Sequence, residues 1–208
     1  MSGRFISLEG GEGAGKSTQA KRLAAALGAR GIDALVTREP GGSEGAEAIR
    51  GLLMQGDVSR WSAHSEALLF AAARADHVEK TIRPALGAGR WVICDRFLDS
   101  SRAYQGVAGG IDDAAVLALH GFGSRGMLPD RTLVLELSPE QGSARAALRD
   151  GDASDRFAAR GPAFHADVAA AFQRFAASEP ERFRLIDAAG GIDEVAAAVL
   201  AAVADLLP

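Results

Sequence analysis

Residues 10–17 read Gly-Gly-Glu-Gly-Ala-Gly-Lys-Ser, and Thr18 follows. Gly10, Gly15, Lys16 and Ser17 stand where the pattern G-x-x-x-x-G-K-[ST] requires them. The chemistry open to such a run is the holding of a polyphosphate. Gly10, Gly11, Gly13 and Gly15, with the small Ala14, let backbone N–H groups turn inward around an anion, a bend that larger side chains obstruct. Lys16 can reach the β- and γ-phosphates, and the Ser17 hydroxyl is placed to ligate Mg²⁺. A helix starting at Lys16 and running through Thr18 adds the positive end of its dipole. Glu12 is out of character here, because a carboxylate beside a phosphate cradle repels the ligand unless it faces something neutral, such as a sugar hydroxyl.

Other charged groups fall at points where they could converge on the same anion. Arg38 stands directly before Glu-Pro-Gly-Gly, and Asp95-Arg96 ends the apolar run Trp-Val-Ile-Cys. Asp95 is in the position of a carboxylate that holds Mg²⁺ or its water, with capping of the next turn as the alternative. Arg145, Arg149, Arg156 and Arg160 flank the polar stretch Asp-Gly-Asp-Ala-Ser-Asp (150–155), a candidate mobile lid over about residues 149–160. A triphosphate donor needs fewer cations than this, so the surplus points to a second, anionic substrate. Each arginine alone is equally readable as a solvated surface charge. Phe70 and Arg74 are four residues apart on one helical face, which suits either a stacked base with its phosphate or a core ring beside a snorkelling cation. Ser101, Tyr104 and Gln105 put a hydroxyl, a phenol and an amide just past Asp95-Arg96.

The elements that must position these groups alternate between strand and helix. Residues 4–9 form a strand candidate, and Ala20, Leu23, Ala24 and Leu27 then recur at helical spacing until Gly28. Further strands are predicted over 34–37, 91–95, 131–137 and 182–187. Helices are predicted over 43–55, 62–88, 140–149, 162–177 and 192–207. Five strands, each followed by helix, predict an α/β fold: a five-stranded parallel sheet flanked by helices on both faces. Such sheets bind ligands at the carboxyl ends of their strands, where Gly10, Arg38 and Asp95 all fall.

The 208 residues suit a single domain spanning 1–208. A hydrophobic fraction of 48% and a mean hydropathy near zero fit a soluble globular chain. No apolar run is long enough to cross a membrane, and no basic-then-apolar leader opens the sequence. A net charge of −4 without a basic run argues against a nucleic-acid partner. The single Cys94 excludes an internal disulfide, so the cytoplasm is the expected compartment. Only Lys16, Lys21 and Lys80 are lysines; the other basic residues are arginines, whose planar fork matches phosphate oxygens.

Taken in order, Phe5–Thr18, Thr-Arg-Glu-Pro-Gly-Gly (37–42), Leu-Phe-Ala-Ala-Ala-Arg (69–74), Asp-Arg-Phe (95–97) and Ala-Tyr-Gln-Gly (103–106) resemble the thymidylate kinase family. Smaller echoes occur at Pro129-Asp130, Asp155-Arg156-Phe157 and Ile186-Asp187-Ala188. The resemblance implies a P-loop nucleoside monophosphate kinase. Such an enzyme moves the γ-phosphoryl of ATP to dTMP with Mg²⁺, giving dTDP for dTTP synthesis. It implies that Phe70 stacks on thymine, that Arg74 contacts the base, and that Arg38 and Arg96 hold the dTMP phosphate. It further implies that Ser101 and Gln105 contact or border the base, that Tyr104 packs on the deoxyribose, and that Glu12 accepts from the 3′-hydroxyl. Catalytic roles fall to Lys16, Asp95 and Arg96, with Ser17 and Asp95 serving the metal. One branch of the family carries an arginine inside the P-loop and another carries it on the lid. Gly13 occupies the loop position here, so the chain resembles the lid branch, with Arg149 as the matching arginine. Ala158 and the Ala166-Asp167 pair depart from the acidic and basic residues common at those places. A homodimer is implied as well, with the 62–88 helix supplying an apolar face. Alternatives are another nucleoside monophosphate kinase, such as one for dUMP or UMP/CMP, separated by an acceptor panel, and a P-loop regulatory NTPase, which would hydrolyse ATP without an acceptor.

Overall fold

The computed structural model describes residues 3–138, 140–142, 144–145, 156–157 and 159–208. Its five strands are β1 (Phe5–Gly10), β2 (Ala34–Arg38), β3 (Trp91–Asp95), β4 (Arg131–Glu136) and β5 (Phe183–Asp187). They form one parallel sheet in the order β2-β3-β1-β4-β5. The expected sheet is therefore the observed one. β1 is central and buried along its whole length. Its alternation divides the core: Ile6 and Leu8 pack with α1 (Lys16–Gly28) and with Val195 and Val199 of the last helix. Phe5 enters a second cluster with Val92, Cys94, Phe97 and Ile82 on the other face. The same alternation sends Ser7 and Glu9 to that second face. A third cluster packs Phe172 and Phe175 of the 162–178 helix against Val134 and Phe183.

The long helix predicted over 62–88 is α3 (Ala63–His77), a wide π turn at Val78–Ile82, and α4 (Arg83–Gly87). Between α3 and β2 lies α2 (Glu44–Met54), and after β3 come α5 (Leu98–Ser101) and a second π turn, Arg102–Val107. π turns are rare and cluster at functional sites; this one carries Tyr104 and Gln105. α6 (Asp113–Ser124) is a helix that was not expected from the sequence. Its buried stripe is Val116, His120 and Ser124, at i, i+4 and i+8, so two of the three inward positions are polar and no apolar stripe exists to be seen. α7 (Pro162–Ser178) and α8 (Ile192–Ala201) complete the fold, and α8 ends six residues earlier than predicted, passing into a 3₁₀ turn at Ala204–Leu206.

His120 Nε2 lies 2.7 Å from the Met127 carbonyl and so carries the proton, while Nδ1 is buried without a partner. Burial lowers its pKa from 6.5 to about 4. With the folded value below the unfolded one, the native state binds fewer protons between them. Stability from this group is present above pH 6.5 and is lost as the pH falls toward 4. Urea unfolding across that range should show the loss in the wild type and a shallower slope in His120→Gln.

A polar cluster fastens α5 to the far side of the sheet. Fully buried Asp99 accepts from Arg182 at 2.6 and 3.0 Å, from Arg102 at 3.2 Å and from Thr132 at 3.1 Å. Arg102 also grips Asp113 at 2.9 and 3.0 Å and Glu179 at 2.7 Å. Breaking such a buried pair by removing one partner is costly. The segment that begins just after Asp95-Arg96 is thereby held in one place.

Candidate active site

The loop after β1 does what its glycines permit. Gly13 has φ 67° and Gly15 φ 88°, the left-handed region that favours glycine. α1 starts at Lys16 with no acidic side chain in its first turn, so its N-terminal amides face the cleft uncompensated. Lys16 Nζ donates to the carbonyls of Gly10 at 3.2 Å and Gly11 at 2.5 Å. Burial, seconded by the Arg96 charge, pushes the Lys16 ammonium down to about 7. The Ser17 hydroxyl donates to Asp95 Oδ2 across the gap between α1 and the end of β3. A hydroxyl and a carboxylate oxygen meeting there form a hard-donor pair. Mg²⁺ takes one or two such protein ligands and completes its shell with phosphate and water, so the residues fit that ion.

Gly13 also answers a question that the sequence left open. A Cβ on it would lie 2.1 Å from the Gly142 carbonyl oxygen, and one on Gly142 would lie 2.5 Å from the Glu12 carbonyl. Two backbones touch at this point, so no side chain fits where the other branch of the resembling family carries arginine. Gly13→Ala should therefore raise the KM for ATP by about tenfold or more through displacement of the loop, given the strained φ and the clash. Steady-state kinetics with the nucleotide varied would show it.

Arg96 has φ 69°, unusual for a residue with a Cβ. Its guanidinium donates from Nη1 to the Gly10 carbonyl at 3.2 Å and to Ser100 Oγ at 3.0 Å, and lies 5.0 Å from the centre of the Tyr104 ring. Fully buried Glu9 holds the surrounding turn. One oxygen accepts from the Phe97 amide at 2.8 Å and the other from Ser100 Oγ at 2.5 Å. Burial, with the nearby Asp99 charge, raises the Glu9 carboxyl to about 8. The sequence suggests no more for Glu9 than a bond to the loop backbone; its place on the Ser7 side of β1 instead puts it against the Phe97 amide and Ser100.

The second half of the cleft is built from β2, α3 and the 98–107 segment. Arg74 donates to Glu39 at 2.7 Å, to Ser101 Oγ at 2.8 Å and to the Phe97 carbonyl at 3.2 Å. Glu39 spends its other oxygen on His77 Nδ1 at 3.0 Å, and His77 Nε2 meets Thr37 Oγ1 at 2.8 Å. Arg38 forks onto Glu47, 3.0 Å from both oxygens, and still lines the cleft. Phe70 meets Phe157 edge to face at 5.6 Å, and Tyr104 lies 6.4 Å from the same ring. Phe157, which the sequence shows only as part of Asp155-Arg156-Phe157, is thus a cleft residue. Gln105 Nε2 donates to the buried carboxylate of Glu66 at 3.0 Å.

These groups surround one cleft of about 820 Å³, a volume within the range of small-molecule sites. Glu12, Gly13, Gly15, Lys16, Ser17 and Thr18 line its P-loop end. Arg38, Phe70, Arg74, Asp95, Arg96, Ser101, Tyr104 and Gln105 line the remainder. Gly10 and Gly11 support Lys16 from behind, and Ala14 packs into the core. Arg149 lies outside the described residues, as does most of the lid expected over 149–160. The other arginines of that group have structural partners. Arg145 donates to the Ala188 and Ala189 carbonyls at 2.9 and 3.2 Å, while Arg156 and Arg160 pair with Glu66 at 2.8 and 3.0 Å.

A P-loop feeding α1, a parallel sheet in the order β2-β3-β1-β4-β5, and a cleft that runs from the P-loop into a cationic second half define the class of P-loop nucleotide kinases. Within that class the comparisons are specific. The thymidylate kinase family profile matches residues 8–199. The chain is 62% identical over 208 residues to a thymidylate kinase of Rhizorhabdus wittichii, covering 100% of both chains. It is 52% identical over 197 residues to one of Caulobacter vibrioides, covering 95% of this chain and 94% of that one. The solved thymidylate kinase of Ehrlichia chaffeensis superposes with a TM-score of 0.78 at 31% identity, covering 98% and 99% of the two chains. The chain belongs to the thymidylate kinase family.

Proposed function

We propose that the cleft holds ATP and dTMP together and that the chain transfers the γ-phosphoryl of ATP to the dTMP phosphate, giving ADP and dTDP for dTTP synthesis. Family membership supports the activity. The observation that carries the residue assignment is the convergence of Lys16, Asp95 and Arg96 with Arg38, Phe70 and Arg74 in one cleft. ATP phosphates lie over Gly10–Thr18, with the α1 N-terminus and Lys16 neutralising them. Ser17 and Asp95 would hold Mg²⁺, which would supply charge neutralisation on the phosphates. Phe70 gives thymine an aromatic face, Arg74 and Ser101 face its edge, and Arg38 and Arg96 take the acceptor phosphate. Tyr104 packs on the deoxyribose, and Glu12 accepts from its 3′-hydroxyl.

No general base is needed, because a phosphate oxygen is already ionised near neutral pH. Positioning and electrostatics carry the step. Arg96 bridges the halves: its Gly10 contact reaches the donor loop, and its Tyr104 contact reaches the acceptor side. Arg149 enters from the lid at the transition state. Arg149→Ala should lower kcat about a hundredfold or more while changing the KM for dTMP little; unimpaired single-turnover chemistry would contradict the assignment. An analogue joining adenosine to thymidine through a phosphate chain should bind more tightly than ATP or dTMP alone. Affinity no better than that of the single nucleotides would contradict a shared cleft.

Among the described residues no helix is long and apolar enough to cross a membrane, and residence in the cytoplasm is part of the same proposal. So is a homodimer. α3 and α6 pack together and leave Leu68, Leu117 and, at 94% exposure, Phe122 on the outside. Burying that face against a second copy would remove it from water. Sedimentation equilibrium separates dimer from monomer.

A further inference from the structure

Glu66 is buried on α3, one helical turn before Phe70, and it gathers three side chains from separate parts of the chain. Gln105 Nε2 donates to it at 3.0 Å, Arg160 donates to both its oxygens at 3.1 and 3.0 Å, and Arg156 pairs with it at 2.8 Å. Both arginines stack on the ring of Phe157, at 5.1 and 5.3 Å, and that ring lines the cleft beside Phe70. Both oxygens of this carboxylate already accept from guanidinium groups, and a carboxylate only accepts hydrogen bonds. Gln105 must therefore turn its NH₂ toward Glu66, and its carbonyl oxygen is the end left over. No described residue donates to that oxygen, while Gln105 lines the cleft.

We infer that Glu66 is a positioning residue for base specificity: it fixes the Gln105 amide so that an oxygen, not an NH₂ group, faces the base edge. This rests on the reading of that half of the cleft as the dTMP site. An amide oxygen held there accepts from a base that carries an N–H, as thymine does at N3. It repels one that presents a bare lone pair at the same place, as cytosine does. A glutamine at 66 both donates and accepts, so it would let the Gln105 amide sit either way round.

The test compares kcat/KM for dTMP and for 5-methyl-dCMP, whose bases differ only at positions 3 and 4. Wild type, E66Q, Q105M and the double variant are measured, with Tm recorded for each. Q105M removes the amide at similar volume and leaves the Glu66–arginine cluster in place, so it reads the proposal even if E66Q folds poorly. The expected result is a fall of about tenfold in the dTMP preference in each single variant. The double variant should fall no further than the more affected single one, because both act through one amide. A change below about threefold in Q105M or in folded E66Q, or losses that multiply in the double variant, would overturn the proposal; those thresholds correspond to less than one net hydrogen bond. A lower Tm in E66Q with the preference intact would make Glu66 a structural anchor only and also overturn it. Wild-type enzyme that does not phosphorylate dTMP at all would contradict the acceptor-site reading instead.

Discussion

Arg96→Gly and Arg96→Ala are expected to lose activity alike, about a thousandfold in kcat/KM, yet to differ in stability. Both remove the guanidinium that touches the Gly10 carbonyl, Ser100 and the Tyr104 ring. Only glycine relieves the backbone, because φ at this residue is 69°. A side chain in the left-handed region costs roughly 1–2 kcal/mol, so the glycine variant should be more stable than the alanine variant by about 1 kcal/mol, after allowance for its freer unfolded chain. Urea unfolding of the two proteins, with kcat/KM measured in parallel, reads both quantities. Equal stability would mean that the turn relaxes once the guanidinium is gone. Retained activity would remove Arg96 from the transition state. The strained residue is held by its surroundings: its amide donates to Leu8 at 2.9 Å, and the next amide, of Phe97, donates to buried Glu9 at 2.8 Å. Strain maintained in this way is typical of sites where the geometry serves function.

Glu39→Ala should be the most destabilising single change around the cleft. The Arg74–Glu39 pair is 3% and 4% exposed, and Glu39 serves Arg74 with one oxygen and His77 with the other. Its removal leaves a buried guanidinium without its counter-charge, a loss of about 3–5 kcal/mol. Arg74 would then be free to leave Ser101, so the KM for dTMP should rise as well, while the KM for ATP changes little. Glu39→Gln keeps two polar atoms near Arg74 and His77 and should lose less of both. Chemical denaturation and dTMP-dependent kinetics test this together. A loss below about 1 kcal/mol would place the pair in the range of exposed ion pairs and contradict its buried, structural role. A large loss of stability with normal dTMP kinetics in the surviving fold would separate Arg74 from the base.

Much of the site was legible in the sequence because its chemistry is local. Lys16 and Ser17 are placed by the loop and helix they sit in, and Arg38 and Asp95 by the ends of apolar strands that any parallel sheet points toward the ligand. Phe70 and Arg74 share a face through helical periodicity alone. What escaped was set by contacts far apart in the chain. Glu39 looked like part of a turn, but its burial is created by Arg74, 35 residues away. Arg156 and Arg160 looked like lid cations; they are turned inward by Glu66, far earlier in the chain. Asp99, Arg102 and Arg182 carry no local pattern, and they meet only when β4 and β5 pair. α6 was invisible because His120 and Ser124 occupy positions that an apolar stripe would have filled.

The central claim is that one cleft holds a triphosphate donor and dTMP and passes a phosphoryl group between them. The measurement that bears on it most directly is ADP formation in a coupled assay with ATP, Mg²⁺ and dTMP, dUMP, UMP or CMP in turn. The account predicts ADP release that depends on the acceptor, is fastest with dTMP and is matched by dTDP formed in equal amount. ADP released at the same rate without any acceptor, or a preference for CMP over dTMP, would contradict it.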